Sequence, residues 1–181
     1  MKYVALLRGI NVGGNHRVPK AELKTVFENL GFREVFIYIN SGNVIFETHK
    51  KPQESEVQAA LRKQFGFDIP TLILTGDKIK KIAATIPKDW TNDTPKPDKS
   101  GQKSDVLYLF NEADKADILA ELGYRPEVET MIYVDGAVLA TISRAQQSKS
   151  SLLRVVGTPL YRLITIRNIK TAKKLAELIQ D

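Results

Sequence analysis

KYVALLRGINVGGNHRVPKAELKTVFENLGFREVFIYINSGNVIFE, residues 2–47, sets the pattern for the whole chain. Lys2–Leu7 reads as a strand that is apolar on both faces. Gly9–Arg17 is a loop with three glycines and two asparagines. Pro19 suits the first turn of a helix, Leu23, Val26, Phe27 and Leu30 form its apolar stripe, and Gly31 stands where a C-terminal cap belongs. Glu34–Ile39 and Val44–Glu47 are β-rich runs, and Asn40-Ser41-Gly42-Asn43 between them is a hairpin signal. The order is strand, helix, strand, strand.

The unit closes with a helix starting at Pro52, carrying Val57, Ala60, Leu61 and Phe65, and a strand at Pro70–Thr75. Asp77–Ile86 adds one more helix, with Ile79, Ile82, Ala83 and Ile86 on one face. Pro87–Ser104, rich in proline and polar residues, has no core face and reads as a linker. The order then repeats: a strand at Asp105–Phe110, a helix over Glu112–Leu122 closed by Gly123, and strands at Val128–Val134 and Ala137–Ile142 about an Asp135-Gly136 turn. A short helix at Ser151–Val156, a strand at Leu160–Arg167 and a helix at Ile169–Gln180 follow. Gly31 and Gly123 lie 92 residues apart, and Gly42 and Gly136 lie 94 apart, which supports a duplication of pattern. β-α-β-β-α-β is the order of ferredoxin-like units. The sequence therefore predicts an α+β fold of two such subdomains, each followed by an extra helix: residues 1–86, a linker at 87–104, and residues 105–181. The two-sided apolar character of Tyr3–Leu7 and Val35–Ile39 predicts that the sheet face left by the helices is covered too.

Composition narrows the chemistry. The chain has 181 residues, 43% hydrophobic and 27% charged, as in ordinary globular proteins. It has no cysteine, which excludes disulfides, thiolate metal sites and cysteine nucleophiles. Two histidines, His16 and His49, leave little for a metal site, and none is expected. The net charge of +6 is unevenly placed: residues 1–20 hold four bases and no acid, residues 91–135 hold 5 bases and 10 acids, and residues 136–181 hold 8 bases and 2 acids. Basic ends favour phosphates or nucleic acid as partners. The apolar start is too short for a signal peptide and no run spans a membrane, so a cytoplasmic protein without membrane partners is expected.

Ala5-Leu6-Leu7-Arg8-Gly9-Ile10-Asn11-Val12-Gly13-Gly14-Asn15 resembles the start of the uncharacterised bacterial family called domain of unknown function 1697. Ser41-Gly42-Asn43-Val44-Ile45-Phe46 and Thr165-Ile166-Arg167-Asn168 resemble its second and third signatures. The resemblance implies a bacterial cytoplasmic protein of two α+β subdomains, with no assigned reaction and no assigned cofactor. Where members carry Trp after the last Asn, this chain has Ile169, so no role of that aromatic carries over.

The strongest candidate site is a loop edge. In a β-α-β-β-α-β unit the first and third strands are antiparallel neighbours, so the end of the first lies beside the start of the third. That brings Arg8, Gly9, Asn11, Gly13, Gly14 and Asn15 to the same edge as Ser41, Gly42 and Asn43, with His16 and Arg17 nearby. Glycines turn backbone N–H groups toward an anion, and Arg8 adds a fixed positive charge. The loop matches neither the dinucleotide nor the Walker phosphate fingerprint. Arg167 and Asn168, at the end of the last strand, join the candidate set; Asn168 also reads as an N-cap. Ser148-Lys149-Ser150-Ser151 reads as a helix cap, with phosphate binding as its rival. No catalytic constellation stands out: Ser41 beside His16 is the one pairing topology allows, and no paired carboxylates flank the basic loops. A small anionic ligand is the expected partner. RNA stacked on Tyr3, Phe36, Tyr38 and Phe46 is the alternative, and a scaffold without ligand the third reading.

Overall fold

The computed structural model describes residues 1–14 and 16–180. The chain divides into two compact units, residues 1–79 with the C-terminal end from Ile179, and Lys80–Leu178. The first contains β1 (Lys2–Leu7), α1 (Lys20–Asn29), β2 (Arg33–Tyr38), β3 (Asn43–Glu47), α2 (Glu54–Phe65) and β4 (Thr71–Thr75). Its sheet runs β2-β3-β1-β4, with every neighbouring pair antiparallel. The division falls inside α3 (Gly76–Ala84). The second unit holds β5 (Gln102–Leu109), α4 (Ile118–Glu121), β6 (Thr130–Val134), β7 (Ala137–Ser143), α5 (Leu152–Val155) and β8 (Ile164–Asn168), then α6 (Ile169–Gln180) as far as Leu178. Its sheet runs β6-β7-β5-β8, again antiparallel throughout. The fold is α+β, two ferredoxin-like subdomains built on one strand order. Among the described residues no helix is long and apolar enough to cross a membrane.

In the first unit Tyr3, Ala5 and Leu7 of β1 face one way and pack with Leu23, Val26 and Phe27 of α1 and Val57 and Leu61 of α2. Phe46 stacks on Phe32 at 4.4 Å and meets Phe27 edge-on at 5.4 Å. Phe27 and Phe46, both fully buried, each stabilise the unit by about 1.5–3 kcal/mol through the water they give up. The opposite face of the sheet is buried as well, at Val4, Leu6, Ile45 and Leu72. The second sheet behaves alike: Leu107, Leu109, Val138 and Ala140 pack with Ile118, Leu122 and Val155, while Val106, Tyr108, Ala137 and Leu139 on the other face are also buried. The expectation of two-sided burial holds on the central strands. It fails on β2, where Phe36 and the following Ile39 are exposed, because β2 is an edge strand.

Two elements differ from the sequence reading. The helix expected over Glu112–Leu122 is a 3-10 turn at Asn111–Ala113 followed by the single turn of α4. Asp114 breaks it: its carboxylate accepts the Tyr133 hydroxyl at 3.0 Å and the Gly136 N–H at 2.9 Å, and so holds the β6–β7 hairpin instead of a helical turn. The strand expected from Leu160 begins only at Ile164. Leu160–Leu163 is a 3-10 turn, started by Pro159 and by the Tyr161 N–H donating to the Thr158 hydroxyl. In the stretch read as a linker, Trp90 is buried, and Asp93 exchanges bonds with Gln102 at the start of β5.

Candidate functional site

β1 ends at a crowded point. The Leu7 N–H donates to the Gly42 carbonyl at 2.8 Å, and the Arg8 N–H donates to the Pro70 carbonyl at 2.9 Å. Gly42 has φ +76, and a Cβ there would come within 2.8 Å of Leu7 and 2.9 Å of Ile10. Only glycine lets the β2–β3 turn seat this closely on the loop after β1. The glycine-rich loop and the Ser41 turn therefore share one edge of the sheet, as the topology requires.

Asn11 fastens the two. It has φ +54, a conformation asparagine tolerates better than most residues. Its side-chain amide donates to the Asn40 carbonyl at 2.9 Å and to the Val18 carbonyl at 3.3 Å, and its oxygen accepts the Val18 N–H at 2.8 Å. Asn43 does similar work within the turn. It is fully buried, and its amide donates to the Tyr38 carbonyl at 3.1 Å and the Ser41 hydroxyl at 3.0 Å. Both asparagines bind backbone or turn atoms. The ligand-donor role expected of Asn11 is thus a loop-closing role.

Arg8 is half-buried at this edge, while Gly9, Val12, Gly13, Gly14 and Ser41 are exposed. A Cβ on Gly13 or Gly14 would meet nothing within 4 Å, although both have positive φ. The backbone there faces open space rather than packed neighbours. Asn15, the remaining candidate in the loop, lies outside the described residues. His16 stacks on Phe67 at 4.5 Å, and the Ser41 hydroxyl accepts the Asn43 amide, so neither is bonded to the other as a nucleophile–base pair requires.

Arg167 and Asn168 sit in the second unit, on β8. Arg167 is buried, and its Nη1 donates to the Thr165 hydroxyl at 3.0 Å and the Ile166 carbonyl at 2.9 Å. Burial pulls its pKa down to about 10, with the neighbouring Tyr108 acting the other way, so the side chain stays charged at neutral pH. Burial pushes the Tyr108 hydroxyl upward in turn. Asn168 accepts the Thr171 N–H at 2.9 Å, the capping bond of α6. The Ser148–Ser151 segment already holds an anion of its own. The buried Glu129 carboxylate accepts the Ser150 hydroxyl at 2.8 Å, the Ser151 N–H at 3.0 Å and the Ser151 hydroxyl, so a phosphate has no place there.

The aromatics considered for base stacking divide the same way. Tyr3 and Phe46 lie in the core under the helices, stacked on each other at 5.8 Å, and only Phe36 is exposed. A groove at the other end of the first sheet escaped the sequence reading. It measures about 510 Å³ and is lined by Arg33, His49, Lys50 and Lys51, with Phe32 and Pro52 among its apolar groups. The run His49-Lys50-Lys51, basic and without an acid, was the available signal. Among the described residues no cluster of three or more His, Asp or Glu suits a metal ion.

Comparison with known proteins agrees with the fold. A search of curated proteins finds no match. Among solved structures the chain is similar to the conserved bacterial protein SP0830 from Streptococcus pneumoniae, with 28% identity, 98% of each chain covered and a TM-score of 0.75. The family model described as protein of unknown function (DUF1697) matches residues 1–139, which include the glycine-rich loop, the Ser41 turn, β5, β6 and the start of β7, and the chain belongs to that family.

Proposed function

We propose that the chain binds a small phosphorylated or otherwise anionic ligand at the edge formed by the Arg8–Gly14 loop and the Ser41 turn. The observation that carries this reading is the open backbone of Gly13 and Gly14 on a loop that Asn11 fastens to the turn. Exposed glycines beside a fastened turn leave room for an anion to approach the backbone, and a loop already held there lowers the entropic cost of binding. Arg8 supplies charge, the Ser41 hydroxyl a further donor, and exposed Val12 an apolar contact at the same loop. Residues 1–20 contain no acid to oppose an anion. The polar groups are few and converge on rigid strand ends, as in ligand sites generally.

Arg8→Ala tests the reading with inorganic pyrophosphate as probe, followed by the ring resonance of His16. The expected loss is about 1.5–3 kcal/mol, the usual worth of a hydrogen bond to a charged group, with melting near that of the parent. A lower melting temperature with unaltered probe binding would make Arg8 a structural residue instead.

A further inference from the structure

The groove at the opposite end of the first sheet has a composition that structure alone does not need. Its walls come from the α1–β2 turn at Leu30–Arg33, the β3–α2 connection at Thr48–Gln53, and Glu56 of α2. Arg33, Lys50 and Lys51 are exposed cations, and among the described residues neither lysine has an ion-pair partner. Glu56 is the only acid in the lining. Three cations around one concavity raise the local positive potential, so an anion lying among them is attracted by all three.

One contact pre-forms it. Arg33 Nη2 is hydrogen-bonded to His49 Nε2. A guanidinium only donates, so Nε2 is the accepting atom of this contact. The imidazole thus fixes the Arg33 head across the groove and leaves its other N–H groups for a ligand. Phe32 and Pro52 add apolar wall, and Phe32 is itself held by stacking on Phe46 at 4.4 Å. A volume of about 510 Å³ suits a small molecule rather than a lone ion.

We propose that this groove is a second anion site, for a phosphate ester of about nucleotide size whose phosphates meet Arg33, Lys50 and Lys51 and whose organic part lies against Phe32 and Pro52. It is separate from the glycine-rich edge, and the protein's two histidines report on the two places independently: His49 on the groove, His16 on the loop.

The test is a proton NMR titration of the full chain with inorganic pyrophosphate and, separately, with a nucleoside diphosphate. The His49 ring resonance is expected to shift saturably with both, and the nucleotide is expected to bind more tightly. Lys50→Ala with Lys51→Ala should weaken both by at least about tenfold. Lys24→Ala with Lys63→Ala removes equal charge outside the groove and should leave the titration unchanged. A His49 signal that stays still at millimolar probe overturns the proposal, whatever His16 does. Equal weakening by the two double variants also overturns it, because the effect is then diffuse charge and not a site. Tighter binding of pyrophosphate than of nucleotide overturns the assignment to a phosphate ester of nucleotide size.

Discussion

Asn11 carries more of the loop's geometry than any glycine in it. Its three side-chain bonds join Asn11 to Val18 and to the turn at Asn40, and Asn11→Ala leaves three backbone groups to find water. The expected cost is about 1–3 kcal/mol, measured by chemical denaturation, with the loop's amides exchanging faster. Gly42→Ala acts differently. It forces a side chain into positive φ and into the 2.8–2.9 Å space beside Leu7 and Ile10. A loss of about 1–3 kcal/mol is expected there too, while Gly13→Ala meets no neighbour and pays only for its φ. A denaturation series in which Gly13→Ala costs as much as Gly42→Ala would contradict the close seating of turn on loop. Both motifs were visible in the sequence, but their division of labour was not. An amide side chain reads the same whether it meets a ligand or a carbonyl, and only the fold brings the Asn40 carbonyl within reach of Asn11.

At the level of elements, the connection before β5 is tied at its start and open beyond it. Asp93 accepts the Gln102 N–H and the Thr91 hydroxyl, each at 2.7 Å, while residues 94–101 are exposed. Trypsin is expected to cut first after Lys99, because Lys96 is followed by Pro97. Early cutting after Arg17, with Lys99 protected, would show the connection to be the better-packed of the two. The same tie gives a pH dependence. The Gln102 N–H, then the Thr91 hydroxyl, hold the Asp93 carboxyl below its ordinary value of 3.8. The folded value is the lower one, so this stabilisation is present above pH 3.8 and is lost as pH falls through the folded value. Asp93→Asn should therefore flatten the acid limb of the stability profile; an unchanged limb would contradict the tie. The long periodic elements, β1, α1, α2 and α6, were legible from their apolar spacing. The short ones of the second unit were not. Asp114 and Pro159 end or redirect the chain through bonds to Tyr133, Gly136 and Arg162, which no local pattern announces.

Taken whole, the chain uses one strand order twice, β2-β3-β1-β4 and β6-β7-β5-β8. The regular spacing of glycine turns made this readable, since Gly31 and Gly123 each follow a helix and Gly42 and Gly136 each lie in a hairpin turn. The duplication is of architecture and not of chemistry. The first unit presents an open glycine-rich loop after β1. The corresponding connection after β5 is the 3-10 turn at Asn111–Ala113, with Ala113 buried. The basic loop edge is therefore a property of the first unit, and Arg8→Ala should weaken probe binding there by about 1.5–3 kcal/mol while the second unit's resonances stay in place. The most direct measurement is a backbone amide titration of the full chain with inorganic pyrophosphate. The Gly13 and Gly14 amide resonances are expected to move saturably, and in Arg8→Ala to need at least about tenfold more pyrophosphate for the same shift. Unmoved Gly13 and Gly14 amides in the parent chain at millimolar pyrophosphate would contradict the proposed site.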